Sequence, residues 1–186
     1  MSCIQYIYFN FDVIAIMQTN ERGSFAANTV VLGMFDYKNI QDLVVGDLVM
    51  THKNSAQPIT RVTYLKSRVV KIRATGILPT LAASTQPYYT RTIISDNQMS
   101  EVTWKEAGSL TLLDYIGVPL LGDENQKALS LVLVSTLEEN EEPRVINDVA
   151  WIPIESIEQT DKELGTYRIE VAQDHSFIAN NAIVSN

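Results

Sequence analysis

Asparagine 186 stands at the end of the stretch Gly165 to Asn186, GTYRIEVAQDHSFIANNAIVSN, which also carries His175, one of two histidines in the sequence. A side-chain amide held at the end of a rigid strand can attack its own backbone carbonyl. It then closes a succinimide and cuts the chain after itself, provided that acid and oxyanion groups stand nearby. His175 has a side chain whose ordinary pKa, near 6.5, suits it to moving a proton. In Asp174-His175-Ser176 it could equally make structural hydrogen bonds at the end of a strand. His52, in the polar run Thr51-His52-Lys53-Asn54, reads as a solvated turn residue.

The elements that must position these groups are strands. Tyr167, Ile169 and Val171 alternate as a half-buried strand does, Asn180-Asn181 signals a turn, and Ala182-Ile183-Val184 forms a second short strand delivering Ser185-Asn186. Upstream, strands are expected at 4–13, Thr29 to Leu32, Ile59 to Tyr64, Val69 to Ala74, Leu78 to Ala82, Tyr88 to Ile94 and Glu101 to Trp104. A turn is expected at Asp36-Tyr37-Lys38-Asn39. The run Gln126 to Thr136 is ambiguous and apolar enough to be a strand. Gln18 to Gly23 is a polar breaker and a domain boundary, so that 1–23 forms a flank and 24–186 the domain proper.

An internal echo points to duplication. Asp42-Leu43-Val44-Val45-Gly46-Asp47-Leu48-Val49 and Ser109-Leu110-Thr111-Leu112-Leu113-Asp114-Tyr115-Ile116 share the form polar-Leu-x-x-x-Asp-apolar-apolar. Each is followed by two short strands with a loop between them, Ile59–Val62 with Val70–Ile72 and Ile154–Ile157 with Tyr167–Ile169. Two β-rich halves could also share such a pattern by chance.

Composition narrows the function. The 186 residues are 46% hydrophobic and 19% charged, enough for one domain with a sizeable core. A net charge of −8 argues against a nucleic-acid partner, because a phosphate backbone is neutralised by clustered Lys and Arg. No apolar run reaches membrane-spanning length, and the one cysteine, Cys3, excludes a disulfide framework or a thiolate metal site. An intracellular protein with no cofactor, no metal and no membrane partner is expected.

The closing segment resembles the last block of inteins, the self-excising elements of the Hint superfamily. Tyr167, Val171, His175, Phe177, Ala179, Val184 and Asn186 fall on that block, with Ser185 where the family usually has histidine. Ile40 to Val49 is similar to the family's I-x-D-L-x-x-G-D-x-V bend, and Trp104-Lys105-Glu106-Ala107 before Leu110 to its W-x-x-A-x-x-L stretch. The resemblance runs from Ser24 to Asn186, the extent of a mini-intein. It implies an all-β horseshoe of two pseudo-symmetric halves with little helix, and 1–23 becomes an N-terminal flank.

It also implies a chemistry. Ser24 would attack the carbonyl of Gly23 to form an ester, and the freedom of glycine leaves room for that attack. Asn186 would then cyclise, excising the element and joining its flanks, assisted by His175. The substrate and partners are the chain's own flanking sequences, with a complementary fragment were the element split. The family's T-x-x-H motif falls on Ala83-Ser84-Thr85-Gln86, so Gln86 stands where the acid is expected and supplies no proton near neutral pH. Ser84, Thr85 and Tyr88 are polar neighbours. Arg168 stands where many inteins have Asp, and could stabilise developing negative charge or sit solvated at an edge. Two other readings remain at this level, a Hint domain that folds without cleaving and a β-barrel interaction module.

Overall fold

In the computed structural model the described residues are 23–95, 98–120 and 144–186. The expected strand at 4–13 and the ambiguous run 126–136 lie outside them. The first half contains β1 (Phe25–Ala26), β2 (Val30–Leu32), β3 (Tyr37–Asn39), a 3-10 turn (Ile40–Asp42), β4 (Leu48–Met50), β5 (Ala56–Ala74) and β6 (Thr80–Ala83). The second contains β7 (Pro87–Ser95), β8 (Gln98–Met99), β9 (Thr103–Glu106), a 3-10 turn (Ala107–Ser109), β10 (Asp114–Pro119) and β11 (Arg144–Ile146). It closes with β12 (Val149–Val171), β13 (Ser176–Ala179) and β14 (Ala182–Ser185). Every pairing among them is antiparallel, and no helix among the described residues is long and apolar enough to cross a membrane.

The two long strands β5 and β12 pair from Ile59↔Val171 to Ala74↔Ile154 and form the spine. Each had been expected as two short strands and a loop. The polar residues between the apolar runs keep extended backbone because their ladder partners are the equally polar middle of the opposite strand. Where β12 has residues in excess, between Gln159 and Glu163, the register shifts, and Thr160 Oγ1 donates to Val69 O at 2.7 Å in the irregular stretch.

About this spine the halves repeat. In each, a strand (β2 or β7) pairs with a later one (β3 or β9), which leads into a 3-10 turn and then into a strand (β4 or β10) laid against the spine. The sequence echo is this turn made twice. Asp47 N donates to Val44 O at 3.1 Å and Val44 N to Asp47 Oδ2 at 3.1 Å; Asp114 N donates to Thr111 O at 3.1 Å and Thr111 N to Asp114 Oδ2 at 2.6 Å. Leu43 and Leu110 are buried at equivalent places, and each aspartate takes a lysine from the strand before the 3-10 turn: Lys38 at 3.2 Å, Lys105 at 2.7 Å.

Apolar side chains from both halves fill one core, including Ile40, Ile59, Val70, Ile72, Ile116, Ile152 and Ile169. The turn expected at Asp36 to Asn39 is displaced. The bend is closed by Gly33 N donating to Asp36 O at 2.7 Å, and Tyr37–Asn39 pairs with Val30–Leu32. The alternating Val30-Val31-Leu32 run offers an edge that the residues after the bend can pair with.

The repeated turn yields a comparison. The backbone N–H of Val44 holds the Asp47 carboxyl below its ordinary value. Burial alone would raise Asp114, but Lys105, Thr92 and Thr111 outweigh it and hold this carboxyl low as well. Both groups therefore stabilise the fold fully above about pH 3.8, and that contribution is lost as pH falls through the depressed folded values. The Asp114 side chain is 0% exposed and Asp47 20%. Asp114→Asn, which strands a largely buried lysine, is expected to cost about 3 kcal/mol in chemical denaturation at neutral pH. Asp47→Asn is expected to cost about 1 kcal/mol or less.

Candidate active site

Ser24 is positioned by the two-residue strand that follows it, β1. Phe25 pairs with both Tyr167 of β12 and Ala82 of β6, and its ring meets Tyr88 and Phe177 edge-on at centroid distances of 6.3 and 6.0 Å. That packing and the bond from Ala83 N to Ser24 O at 2.8 Å fix the backbone. Ser24 itself is 2% exposed. Its Oγ donates to Thr166 Oγ1 at 2.9 Å, Thr166 Oγ1 donates to Ser67 Oγ at 3.1 Å, and Ser67 Oγ lies 3.3 Å from Ser24 Oγ. The three hydroxyls form a closed ring in which each can donate to the next. Thr166 and Ser67 are absent from any reading of the sequence, because only the pairing of β12 with β5 and β1 brings them to Ser24.

The β13–β14 hairpin delivers the other end. Asn180 and Asn181 both take positive φ, 46° and 69°, as a tight two-residue turn requires. Asn180 also ties the hairpin to the sheet, with Val30 N donating to its Oδ1 at 2.9 Å and its Nδ2 donating to Thr80 Oγ1 at 2.9 Å. At the far end Gln86, 1% exposed, donates from Nε2 to Ser185 O at 2.7 Å and to Pro87 O at 3.1 Å. The same side chain packs on Gly23, so closely that a Cβ there would overlap its carbonyl oxygen. A φ of 21° and this contact make glycine necessary at 23.

Gly23, Ser24, Gln86, Arg168, Ser185 and Asn186 thus line one tight pocket, walled by Phe25, Tyr167, Ile169 and Phe177. Asn186 N and Ser185 Oγ both donate to the backbone carbonyl of His175, at 3.1 and 2.9 Å, and Ser185 Oγ lies 3.4 Å from Asn186 O. The imidazole of His175 is exposed and is not among the pocket-lining groups. Thr85 occupies the turn between β6 and β7, half-buried and outside the pocket.

His52 departs from its expected place in solvent. It is half-buried, its ring 5.9 Å from Tyr89 and 6.0 Å from Trp104, and its Nδ1 lies 2.6 Å from Ser176 Oγ. The Ser176 hydroxyl also accepts from His52 N at 3.3 Å, so both the backbone and the ring of His52 are tied to it. Burial pushes this imidazole down, against the pull of Asp174, which agrees with a neutral ring. Asp174 accepts from Lys53, Ser55 and Thr51 at 2.8, 2.7 and 2.8 Å, and those bonds hold its carboxyl far below the usual range. The segment before His175 is thereby clamped to the loop after β4. Among the described residues no cluster of His, Cys, Asp and Glu could hold a metal ion.

A two-fold β horseshoe that brings Gly23-Ser24 and Ser185-Asn186 to one pocket is the Hint fold. Solved structures share it: a DnaB intein from Synechocystis matches 88% of this chain and 97% of its own at 18% identity and TM-score 0.61. The gp41-1 intein matches 88% and 98% at 19% identity and TM-score 0.57, and a bacterial intein-like domain from Clostridium thermocellum 88% and 98% at 16% and 0.56. At such identities the likeness is one of fold. No protein-family model matches the sequence, and no curated protein does.

The hydroxyl ring carries an expectation. Thr166→Val keeps the shape and leaves Ser24 and Ser67 without their central partner, so unfolding by urea should show a loss of about 1–3 kcal/mol. Thr85→Val, outside the ring, should stay within about 0.5 kcal/mol of the parent.

Proposed function

We propose that this chain is a self-processing element of the intein type, with the peptide bonds at Gly23-Ser24 and after Asn186 as its substrates. The observation that carries the reading is the shared pocket: Gln86 touches Gly23 on one side and the Ser185 carbonyl on the other. Two bonds at opposite ends of a domain are candidates for one coupled reaction only when they meet.

In the first step Ser24 Oγ adds to the Gly23 carbonyl carbon, and the Gly23-Ser24 amide breaks. The hydroxyl proton ends on the freed Ser24 amine, and residue 23 is held as an ester. Thr166, which accepts the Ser24 hydrogen at 2.9 Å, orients a lone pair of Oγ for that attack. Gln86 can hold an oxygen but has no proton to give, so the departure of the amine lacks an acid, a handicap of roughly 10²- to 10⁴-fold. In the second step the Asn186 side-chain nitrogen attacks its own carbonyl carbon. The bond to the following residue breaks, and the nitrogen's proton passes to the leaving amine. Ser185 Oγ, 3.4 Å from Asn186 O, is the nearest hydroxyl to the oxygen that gains charge. Under this reading 1–23 is an N-terminal flank, a Cys, Ser or Thr after Asn186 would accept the acyl group, and the element works inside the cell with the host protein that carries it.

Hydroxylamine tests the first step, since it cleaves an ester and leaves an ordinary amide intact. Incubation should release a fragment ending in a hydroxamate at Gly23, seen by intact mass, and Ser24→Ala should release none. Gln86→His restores an acid and should speed release by about tenfold or more at neutral pH. An unchanged mass, identical in Ser24→Ala, would identify a Hint domain that folds without cleaving.

A further inference from the structure

Two buried polar atoms in the pocket have no hydrogen-bond partner among the described residues: Arg168 Nε, a donor, and Asn186 Oδ1, an acceptor. Buried groups left unpaired are rare and costly, and these two are complementary in kind. The outer end of Arg168 is occupied, with Nη2 at 3.4 Å from Glu170 Oε1, an oxygen that Arg61 Nη1 also approaches at 3.6 Å. That ion pair engages one terminal nitrogen of the guanidinium, while the inner Nε–H stays buried and unpartnered in a residue that lines the pocket. Asn186 is held through its backbone, whose N–H donates to the His175 carbonyl at 3.1 Å, and its carboxamide oxygen has no partner among the described residues.

We propose that Arg168 is a catalytic residue for the Asn186 step, its Nε–H donating to Asn186 Oδ1 as the carboxamide reacts. The proposal rests on the reading of Asn186 given above and adds the group that activates it. A cationic donor on the amide oxygen does two things. It turns the nitrogen toward the Asn186 carbonyl carbon, and it stabilises the imidate that forms as the nitrogen gives up its proton. The atom count is unchanged by the assistance: the carbon–nitrogen bond to the following residue breaks, one to Asn186 Nδ2 forms, and the displaced proton ends on the leaving amine. Serine precedes the asparagine and the His175 imidazole stands outside the pocket, so among the described residues Arg168 is the one lining side chain with a permanent positive charge.

The test uses the full chain continued past Asn186 by a short peptide beginning with alanine, which accepts no acyl group. Release of the peptide, leaving a succinimide at 186, is followed by intact mass, and ester at Gly23-Ser24 by hydroxylamine. Arg168→Ala and Arg168→Lys should both slow peptide release by about 10- to 100-fold with the ester yield unaltered, because lysine keeps the charge and lacks the inner N–H. Parent-like release from both variants, or equal loss of both cleavages, would overturn the proposal. A parent chain that releases no peptide at all would instead overturn the reading of Asn186 itself.

Discussion

The antiparallel pairing of β5 with β12 is the constraint on which everything else hangs. It joins the halves, and five further strands lie directly against it: β4 and β6 against β5, and β1, β10 and β11 against β12. It also sets the site. Ser67 and Thr166 reach Ser24 only in the register that pairs Leu65 with Thr166 and Ser67 with Leu164. A slip of one residue would turn Thr166 to the other face and put an apolar neighbour in its place.

What could be read from the sequence was local. Asn180-Asn181 announces its turn because few other residues accept two successive positive φ angles. The two Leu-x-x-x-Asp bends are legible because each is closed within four residues by its own aspartate. The extent of β5 and β12 was not legible, since their polar middles carry no alternation and are held by each other. His52 was misread for a similar reason: a polar run looks solvated until Ser176 and the rings of Tyr89 and Trp104, far along the chain, cover it. The hydroxyl ring joins residues 43 and 142 positions apart, and nothing near Ser24 signals it.

The site combines a fully hydrogen-bonded serine with an unsatisfied amide. Ser24 has its hydrogen bonds made by groups that do not titrate near neutral pH, so its orientation is insensitive to pH there. Asn186 has its backbone held and its side chain unpaired. Gln86 couples the two by shape and hydrogen bonding rather than by proton transfer. The His175 carbonyl, at a residue whose φ is 49°, accepts from Asn186 N and Ser185 Oγ, while its imidazole stands outside the pocket lining.

The contact of Gln86 with both Gly23 and Ser185 has a consequence for topology. Bringing the ends of a flexible segment of about 160 residues together costs on the order of 4–5 kcal/mol in chain entropy. Here the folded sheet has already met that cost. Gly23 and Asn186 are held side by side, as though tethered by a linker of almost no length, so their encounter is independent of how dilute the protein is.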